Sequence, residues 1–473
     1  MPNRLEEIAV AKQKLFFQLE ELNMQERAVQ LEHNVMHNLD APTSNLPDEI
    51  LAMIFEAGSC FGLPPKYHFG ELVSHVSHRW RRIALTTPWL WAEIRVATKQ
   101  SNFPWPLMSG QLEERPKIGF KSLTESVAHY LSRSKSIPVE IYFSDFCDRD
   151  VAPDLLKILG HHNGHFQSFN LFTRKAKNLE QILESVSHQE ATLLESFSVG
   201  ETREMQFTSR LFPHGAPRLK TVHLHSFDIT TSPLCLPAFG SVSHLKLSNL
   251  NIEDRVAYGC FRGFLGALQT LSHLELSILF FAQLDLLPIV LPSLLFFMLD
   301  AVACPAAFNY LINALHAPSL TSLSLNRLDE SEELTQPTIS HFPSLQHLIL
   351  TQALSQFAML ATVFPNIERL TCCLVEDEDV DDLVDAIFYG DDGPLKWPKM
   401  RSIAVSVPQV DSFDVSQLCN LVEELQIDRP MRKLLLPKSH TAKMDVCEME
   451  ELREMIEVEE FIDEWSLPFQ RLF

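Results

Sequence analysis

From residue 166 onward the chain repeats one short pattern of apolar residues, and this repeat constrains the fold more than any other feature. Each unit has an apolar residue, two others, an apolar residue, one other and a third apolar residue, as in APRLKTVHLH and FPSLQHLILT. Alignment of the fourth position of each unit gives Phe169, Phe197, Val222, Leu245, Leu274, Phe297, Leu323, Leu348, Leu370, Ile403 and Leu425. One such unit cannot bury its apolar face alone, so neighbouring units must stack.

The segments between the copies, such as DRVAYGCFRGFLGAL and PAAFNYLINALH, have the apolar spacing of helices. Steps of 22 to 33 residues between copies resemble the leucine-rich repeat, in a degenerate form that mostly lacks the family's Asn. We therefore predict an α/β solenoid, a horseshoe, over residues 136–445. SIPVEIYFSDF alternates as a strand and is expected to begin its sheet, and residues 446–473 are expected to form an acidic capping helix.

In a leucine-rich repeat, the side chains between the buried positions line the concave face of the sheet. The residues expected to bind a partner there are His223, His244, His273, Phe296, Met298, Ile349 and Arg369. Apolar groups displayed on a polar face tend to mark partner contacts, which makes Phe296, Met298 and Ile349 the expected hot spots. Imidazole can bind zinc, but no Cys or carboxylate completes a ligand set at a known spacing, so we predict a recognition surface and no metal site.

Residues 1–40 are expected to form one long helix, because residues 4–38 lack Pro and Gly and are rich in Glu, Gln, Leu and Ala. Apolar residues recur at intervals of seven at Ile8, Leu15, Leu22, Val29 and Met36. The companion positions are apolar only in part, being Leu5, Lys12, Leu19, Glu26 and His33. The pattern leaves two possibilities open, packing on the protein itself and self-association as a coiled coil.

A second helical region opens abruptly in NLPDEILAMIF, at residues 45–55. Pro47 suits the first helical position, where its missing N–H would be unsatisfied anyway, and Asp48 and Glu49 complement the helix dipole. After a loop with Gly and Pro, ELVSHVSHRWRRIALTTPWLW keeps helical spacing until Pro88. Residues 95–135 are expected to be a loop-rich linker to the repeats.

These two stretches resemble the F-box, in the long-loop form common in fungal F-box proteins. They match the family's Leu-Pro-x-Glu-Ile/Leu with a later Ile-Phe, and its Trp-Arg-x-Ile-Ala and Pro-x-Leu-Trp, with Ser77 where the family often has Cys. The resemblance covers residues 45–94 and implies docking on the S-phase kinase-associated adaptor of an SCF ubiquitin ligase, which also contains a cullin. The adaptor-binding residues that it implies are Leu46, Pro47, Glu49, Ile50, Ile54, Phe55, Val76 and Trp80.

Composition excludes several other classes of function. A formal net charge of −22 argues against nucleic acid and anionic membranes as partners. The segment Ser277–Leu299 is apolar enough to resemble a membrane span, but it contains Asp285 and two prolines and follows the register of the repeat. Nine scattered cysteines without C-x-x-C, and an N-terminus without an apolar signal core, favour a cytoplasmic or nuclear protein.

Motifs for nucleotide binding, for a serine nucleophile and for a zinc protease are absent from the sequence, so we expect neither enzyme activity nor a cofactor. Two hypotheses remain. In the first, the F-box-like region binds the adaptor and the repeats recruit a protein for ubiquitylation by other subunits. In the second, the chain is a non-ligase scaffold in which the long helix and the repeats assemble partners.

Overall fold

The computed structural model describes residues 2–39, 42–43, 45–59, 68–97, 120–144, 150–282, 287–301, 303–326, 341–351, 357–374, 380, 383–384, 387, 397–406, 415–428, 431–442 and 444–461. The chain forms two compact units, Met1–Trp91 and Ala92–Phe473. The first unit is helical in its described parts and the second is built around one long parallel sheet.

The first unit begins with one long helix and continues with three short helices that pack on one another. The helices are α1 (Pro2–Leu39), α2 (Asp48–Ser59), α3 (Phe69–Ser74) and α4 (His78–Thr86). A 3-10 turn at Pro88–Trp91 closes the unit. Ser77 accepts a hydrogen bond from the Trp80 amide at 3.1 Å and so caps the N-terminus of α4.

The strands of the second unit are β1 (Glu93–Ala97), β2 (Val139–Ser144), β3 (Phe166–Thr173), β4 (Ser196–Met205), β5 (Thr221–Phe227), β6 (His244–Ile252), β7 (His273–Phe281), β8 (Ile289–Val290), β9 (Phe296–Asp300), β10 (Leu315–His316), β11 (Ser322–Asn326), β12 (His347–Thr351), β13 (Arg369–Cys373), β14 (Ser402–Ser406), β15 (Lys433–Pro437) and β16 (Glu457–Phe461). All except β8 and β10 form one 14-stranded sheet in chain order, with every pair parallel. β8 and β10 pair with each other.

Helices alternate with these strands, as expected for a solenoid-like α/β arrangement. They are α5 (Phe120–Ser134), α6 (Pro153–His162), α7 (Ala176–Val186), α8 (Arg255–Ala267), α9 (Ala306–Ala314), α10 (Phe357–Val363), α11 (Val415–Asp428), α12 (Lys438–Thr441) and α13 (Val446–Met455). Asp254 caps α8 by accepting from the Ala257 amide at 2.7 Å. Asp445 and Glu448 form a capping box at the start of α13.

The repeat register predicted from the sequence is confirmed from Phe169 to Ile403, where each aligned residue lies beside the next in the sheet. It is wrong at the last position. Leu425 lies in α11, and Leu434 is the residue that pairs with Ile403. The error arises because Val422, Leu425 and Ile427 on the helix imitate the spacing of a repeat strand.

The sheet also extends beyond both predicted ends. β1 precedes the expected first strand, and α5 lies within the expected linker at residues 95–135. At the other end, the expected capping helix ends at Met455, and Glu457–Phe461 forms the last strand of the sheet. The rest of the expected linker loop, residues 98–119, and the segment 462–473 lie outside the described residues.

A ladder of buried apolar side chains runs through the second unit, with one side chain from each of β1 to β7, β9 and β11 to β15. Its members are all at most 1% exposed: Ile94, Ile141, Phe169, Phe197, Val222, Leu245, Leu274, Phe297, Leu323, Leu348, Leu370, Ile403 and Leu434. Such a ladder buries apolar surface only because neighbouring strands are present, which makes each repeat depend on the next. No described helix has the length and apolar character needed to cross a membrane.

Candidate docking surfaces

The three short helices of the first unit share a small core. Leu51 and Phe55 of α2 and Ile83 of α4 are buried, and the Phe55 and Trp80 rings lie 4.8 Å apart. The indole N–H of buried Trp91 donates to the Ala84 carbonyl at 2.8 Å, which fixes the closing 3-10 turn on α4. This core holds the three helices together and decides which side chains remain on the surface.

Phe55 is therefore not a surface contact, contrary to its expected role in docking. Its side chain is 1% exposed, because it points between α2 and α4 onto Trp80, which is itself half-buried. Of the other residues implied by the resemblance, Pro47, Glu49, Ile50, Ile54 and Val76 are exposed and Leu46 is half-buried.

An exposed apolar set remains on α2, α3 and α4, between α3 and α4, and on the turn that follows α4. Its members, between 38% and 62% exposed, are Ile50, Met53, Ile54, Leu72, Val76, Leu85 and Trp89. Large apolar side chains concentrated on so small a module tend to mark a partner interface. The resemblance to the F-box implied a docking role for three of them, Ile50, Ile54 and Val76. Met53 could have been found from the run Ile50–Phe55, which contains more apolar residues than one face of a helix can bury.

An ion-pair cluster holds the start of α2 against α4. The Nε of Arg79 donates to Asp48 Oδ1 at 2.8 Å, and Arg82 donates to Asp48 Oδ2 at 2.7 Å. Hydrogen bonds from Arg79 and Arg82 hold the pKa of the Asp48 carboxyl below its ordinary value. Arg79 also donates to the carbonyls of Thr43 and Leu46, so it fixes the segment that leads into Pro47.

The second unit carries a polar face made of three columns of side chains, which we call the display face. The first column is Thr221, His244, His273, Phe296, Ser322, His347 and Arg369; the second is His223, Lys246, Glu275, Met298, Ser324 and Ile349; the third is His225, Ser248, Ser277, Asp300, Asn326 and Thr351. Neighbours in the first two columns are register partners in the sheet, as predicted. The third column follows the same register apart from the irregularity between β6 and β7.

Exposure differs from the expectation at several positions of the display face. Ile349 is only 4% exposed, so it is a buried residue rather than a hot spot, and His223 and His273 are also buried. Phe296 and Met298, with His244 and Arg369, are half-buried. The middle column is the most enclosed because each of its side chains has neighbours on both adjacent strands and on both flanking columns.

Glu275 is the most buried carboxylate of the display face, at 2% exposure. His273 Nε2 lies 3.0 Å from one oxygen and Lys246 Nζ lies 3.0 Å from the other. Burial by itself would raise the pKa of Glu275, but the hydrogen bond from His273 and the Lys246 charge outweigh it, and the pKa is lowered. The His273 ring also stacks on Phe296, with centroids 4.3 Å apart and planes 5° from parallel.

The surroundings of His223 and His347 lower the pKa of both histidines. His223 lies between the hydroxyls of Ser198 and Ser248, at 3.3 and 2.9 Å. Burial, together with the Lys246 charge, holds its pKa well below the ordinary value. His347 Nε2 lies 2.9 Å from the Thr371 hydroxyl, and burial with the Arg369 charge lowers its pKa to about 3. His223 and His347 therefore offer hydrogen-bonding groups and ring faces rather than titrating bases.

Within the described ranges, no group of three or more His, Cys, Asp or Glu side chains is arranged to hold a metal ion. The polar side chains at the centre of the display face contact one another instead, through the pairs described above. What this arrangement can do is bind a surface of complementary shape and polarity.

Comparison with known proteins identifies one part of the chain. The F-box-like family model matches residues 43–97. Curated proteins give no match. Among solved structures, the chain is similar to a Bacteroides fragilis protein from a structural genomics consortium, with 12% identity and a TM-score of 0.28. That similarity covers 57% of this chain and 66% of the other, just under two thirds of its length. Residues 43–97 are thus an F-box-like domain.

Proposed function

We propose that this protein is the substrate-recognition subunit of an SCF-type E3 ubiquitin ligase. F-box domains typically bind S-phase kinase-associated adaptors and generally belong to adaptor subunits rather than catalytic ones. The F-box-like domain docks on that adaptor, the adaptor joins a cullin, and the repeats bring in a protein target. The chain itself performs no chemistry, since ubiquitin transfer belongs to other subunits of the complex.

The observation that carries this proposal is the exposed apolar set of the F-box-like domain. Ile50, Met53 and Ile54 project from the surface of α2, while Leu51 and Phe55 of the same helix form the core. Each apolar side chain buried against a partner contributes about 25 cal/mol per Å² of surface removed from water. The helix α2 is thus apolar both where it packs on its own domain and where it faces solvent. The exposed apolar face is expected if a partner protein buries it.

The display face supports the recruiting role. Its strands, β5 to β13, present partly exposed Phe296 and Met298 among polar neighbours, which is the composition of a protein-recognition surface. A target held there stays close to the conjugating enzyme of the ligase, so its lysines are modified because their effective concentration is high. The mechanism needs affinity and geometry but no catalytic group on this chain.

Binding of purified adaptor to the purified chain tests the docking, with two variants of the F-box-like domain. Ile54→Asp places a charge in the exposed apolar set, and Leu46→Ala with Pro47→Ala alters the start of α2. We expect Ile54→Asp to weaken binding by about a hundredfold, because it desolvates a carboxylate at the interface, and the double variant to weaken it as well.

The matched control is Val256→Asp, a similar change at an exposed apolar residue of α8 in the second unit. It should bind the adaptor as the wild type does. Circular dichroism establishes that each variant is folded. A wild-type chain that does not bind the adaptor contradicts the proposal, and so does an Ile54→Asp variant that is folded and binds normally.

A further inference from the structure

The long helix α1 is the part of the protein that the F-box-like domain and the repeats leave unexplained. Every described side chain of α1 is exposed to solvent. Its large apolar residues, among them Leu15, Leu19, Leu22 and Val29, are between 56% and 66% exposed. Leaving so many large apolar groups in water is unfavourable, and a helix with such a surface tends to be buried by a partner.

Two apolar stripes run along α1. Leu15, Leu22, Val29 and Met36 recur every seven residues, and Val10, Phe17, Met24 and Leu31 do the same two positions further on. At 3.6 residues per turn, positions two apart lie on nearly opposite sides of the helix. The first stripe is the broader of the two, because Leu19 and Phe16 lie beside it. The second stripe is bordered mostly by polar and charged residues, which are Gln13, Lys14, Glu20, Glu21 and Arg27.

We propose that two copies of this chain associate through the first stripe of α1, as an antiparallel two-helix coiled coil. The stripe supplies one of the two seam positions of each heptad over the three heptads from Leu15 to Met36, and Leu19 supplies the companion position at its centre. At 1.5 Å per residue, α1 is about 57 Å long, which gives the two copies a long surface to share.

The charges beside the seam select the antiparallel arrangement. In a parallel, in-register pair, Lys12 would face Lys12 and Glu26 would face Glu26 of the second copy, which is repulsive. In the antiparallel pair centred between Leu19 and Leu22, Lys12 of one copy lies within one helical turn of Glu26 of the other. Both like-charge contacts are then replaced by two attractive ones.

The charge balance along the helix favours the same orientation. Residues 4–19 contain three cationic side chains, Arg4, Lys12 and Lys14, against two carboxylates, Glu6 and Glu7. Residues 20–38 contain four carboxylates, Glu20, Glu21, Glu26 and Glu32, against Arg27. An antiparallel pair sets the net positive half of each helix beside the net negative half of the other.

Sedimentation equilibrium of the full chain tests the association. The wild type should be a dimer at micromolar concentrations, and Leu19→Asp should be a monomer. Phe17→Asp is the matched control, since it places the same charge on the opposite side of α1 and should leave the dimer intact. Circular dichroism confirms that both variants keep their helix content. A monomeric wild type, or dissociation by Phe17→Asp but not by Leu19→Asp, overturns the proposal.

Charge reversal tests the orientation. Lys12→Glu and Glu26→Lys should each raise the dissociation constant of the dimer roughly tenfold, because each creates two like-charge contacts between the copies. The double variant restores both attractions and should dimerise as the wild type does. Single reversals that leave the dissociation constant unchanged contradict the antiparallel pairing, and so does a double variant that stays as weak as the singles.

Discussion

Arg79 links the F-box-like domain's core to the segment that opens it. Its guanidinium group contacts the Asp48 carboxylate and the carbonyls of Thr43 and Leu46, whereas among the described residues the guanidinium group of Arg82 contacts Asp48 alone. Five donors in a fixed planar arrangement allow one arginine to satisfy several acceptors at once. Arg79 is thus a positioning residue, which fixes Leu46 and Pro47 at the start of α2.

Replacing Arg79 with Ala should therefore destabilise the first unit by about 1–3 kcal/mol, because the Thr43 and Leu46 carbonyls lose a charged donor. Arg82→Ala is the control, since the Arg82 side chain is 70% exposed and its one partner within the described ranges is Asp48, and it should change stability much less. Urea unfolding followed by circular dichroism measures both. Equal losses in the two variants would show that the contacts to the carbonyls contribute nothing.

His347 makes the stability of the protein depend on pH. Its pKa is about 3 in the folded chain, against about 6.5 when unfolded, because it is buried and lies near the positive charge of Arg369. The unfolded state therefore takes up the proton first, and stability is lost as the pH falls from about 6.5 towards 3.

His347→Gln keeps a polar group at this position but cannot titrate. Between pH 7 and pH 5, the variant should lose stability less steeply than the wild type, by at most one proton or about 1.4 kcal/mol per pH unit. Urea unfolding at a series of pH values gives the two slopes. Parallel slopes would mean that His347 is protonated equally in the folded and unfolded states.

At the scale of single residues, the sequence predicted position better than exposure. The period of two along each strand predicts the face on which a residue lies, and the alignment of the repeats predicts its neighbour on the next strand, so His273 and Phe296 were correctly placed side by side. Whether a side chain on that face is covered depends on its neighbours in three dimensions, which is why Ile349 is buried although it lies on a polar face. Phe55 differs from its expected role for the same reason, because its exposure depends on the packing of α2 on α4.

At the scale of elements, a glycine in β4 allows side chains of the two flanking strands to meet across it. Gly200 of β4 lies between Phe172 of β3 and His225 of β5, whose rings are 5.5 Å apart and meet edge to face. A Cβ at position 200 would lie 2.6 Å from the Cβ of His225. The glycine therefore permits a contact between two strands that are not neighbours.

Gly200→Ala should destabilise the second unit by about 1–3 kcal/mol, since the methyl group would force Phe172 or His225 aside. Gly259→Ala in α8 is the control: it is exposed, a Cβ added there would meet nothing within 4 Å, and Ala is the better helix former by about 0.5–1 kcal/mol. Thermal unfolding should show a lower midpoint for the first variant and an equal or higher one for the second. A neutral Gly200→Ala would show that β4 can shift freely.

The strands and helices of the repeats could be predicted from the sequence because each strand carries the same spacing of buried residues. The ends of the sheet could not. β1 and β16 lack the full repeat pattern, and the acidic sequence of β16, EVEEF, is that of a solvated helix rather than a strand. Its pairing with β15 is stabilised instead by Lys433, which contacts both Glu457 and Glu459.

At the scale of the whole molecule, the F-box-like domain and the repeats present different surfaces because they bury different shares of their apolar side chains. The F-box-like domain exposes apolar side chains because α2 to α4 are too small to bury all of them in one core. The repeat unit buries its apolar ladder completely and presents a polar face. Short sequence motifs identified the first surface and the repeat period identified the second, but neither specifies which protein binds to the display face.

The most direct test of adaptor docking is hydrogen–deuterium exchange of the full chain with and without purified S-phase kinase-associated adaptor. We predict slower exchange in α2 and α4 on addition of the adaptor, because the exposed apolar set of these helices becomes buried, and no change in the strands of the display face. Unchanged exchange in α2 and α4, or protection confined to the display face, would contradict docking through the F-box-like domain.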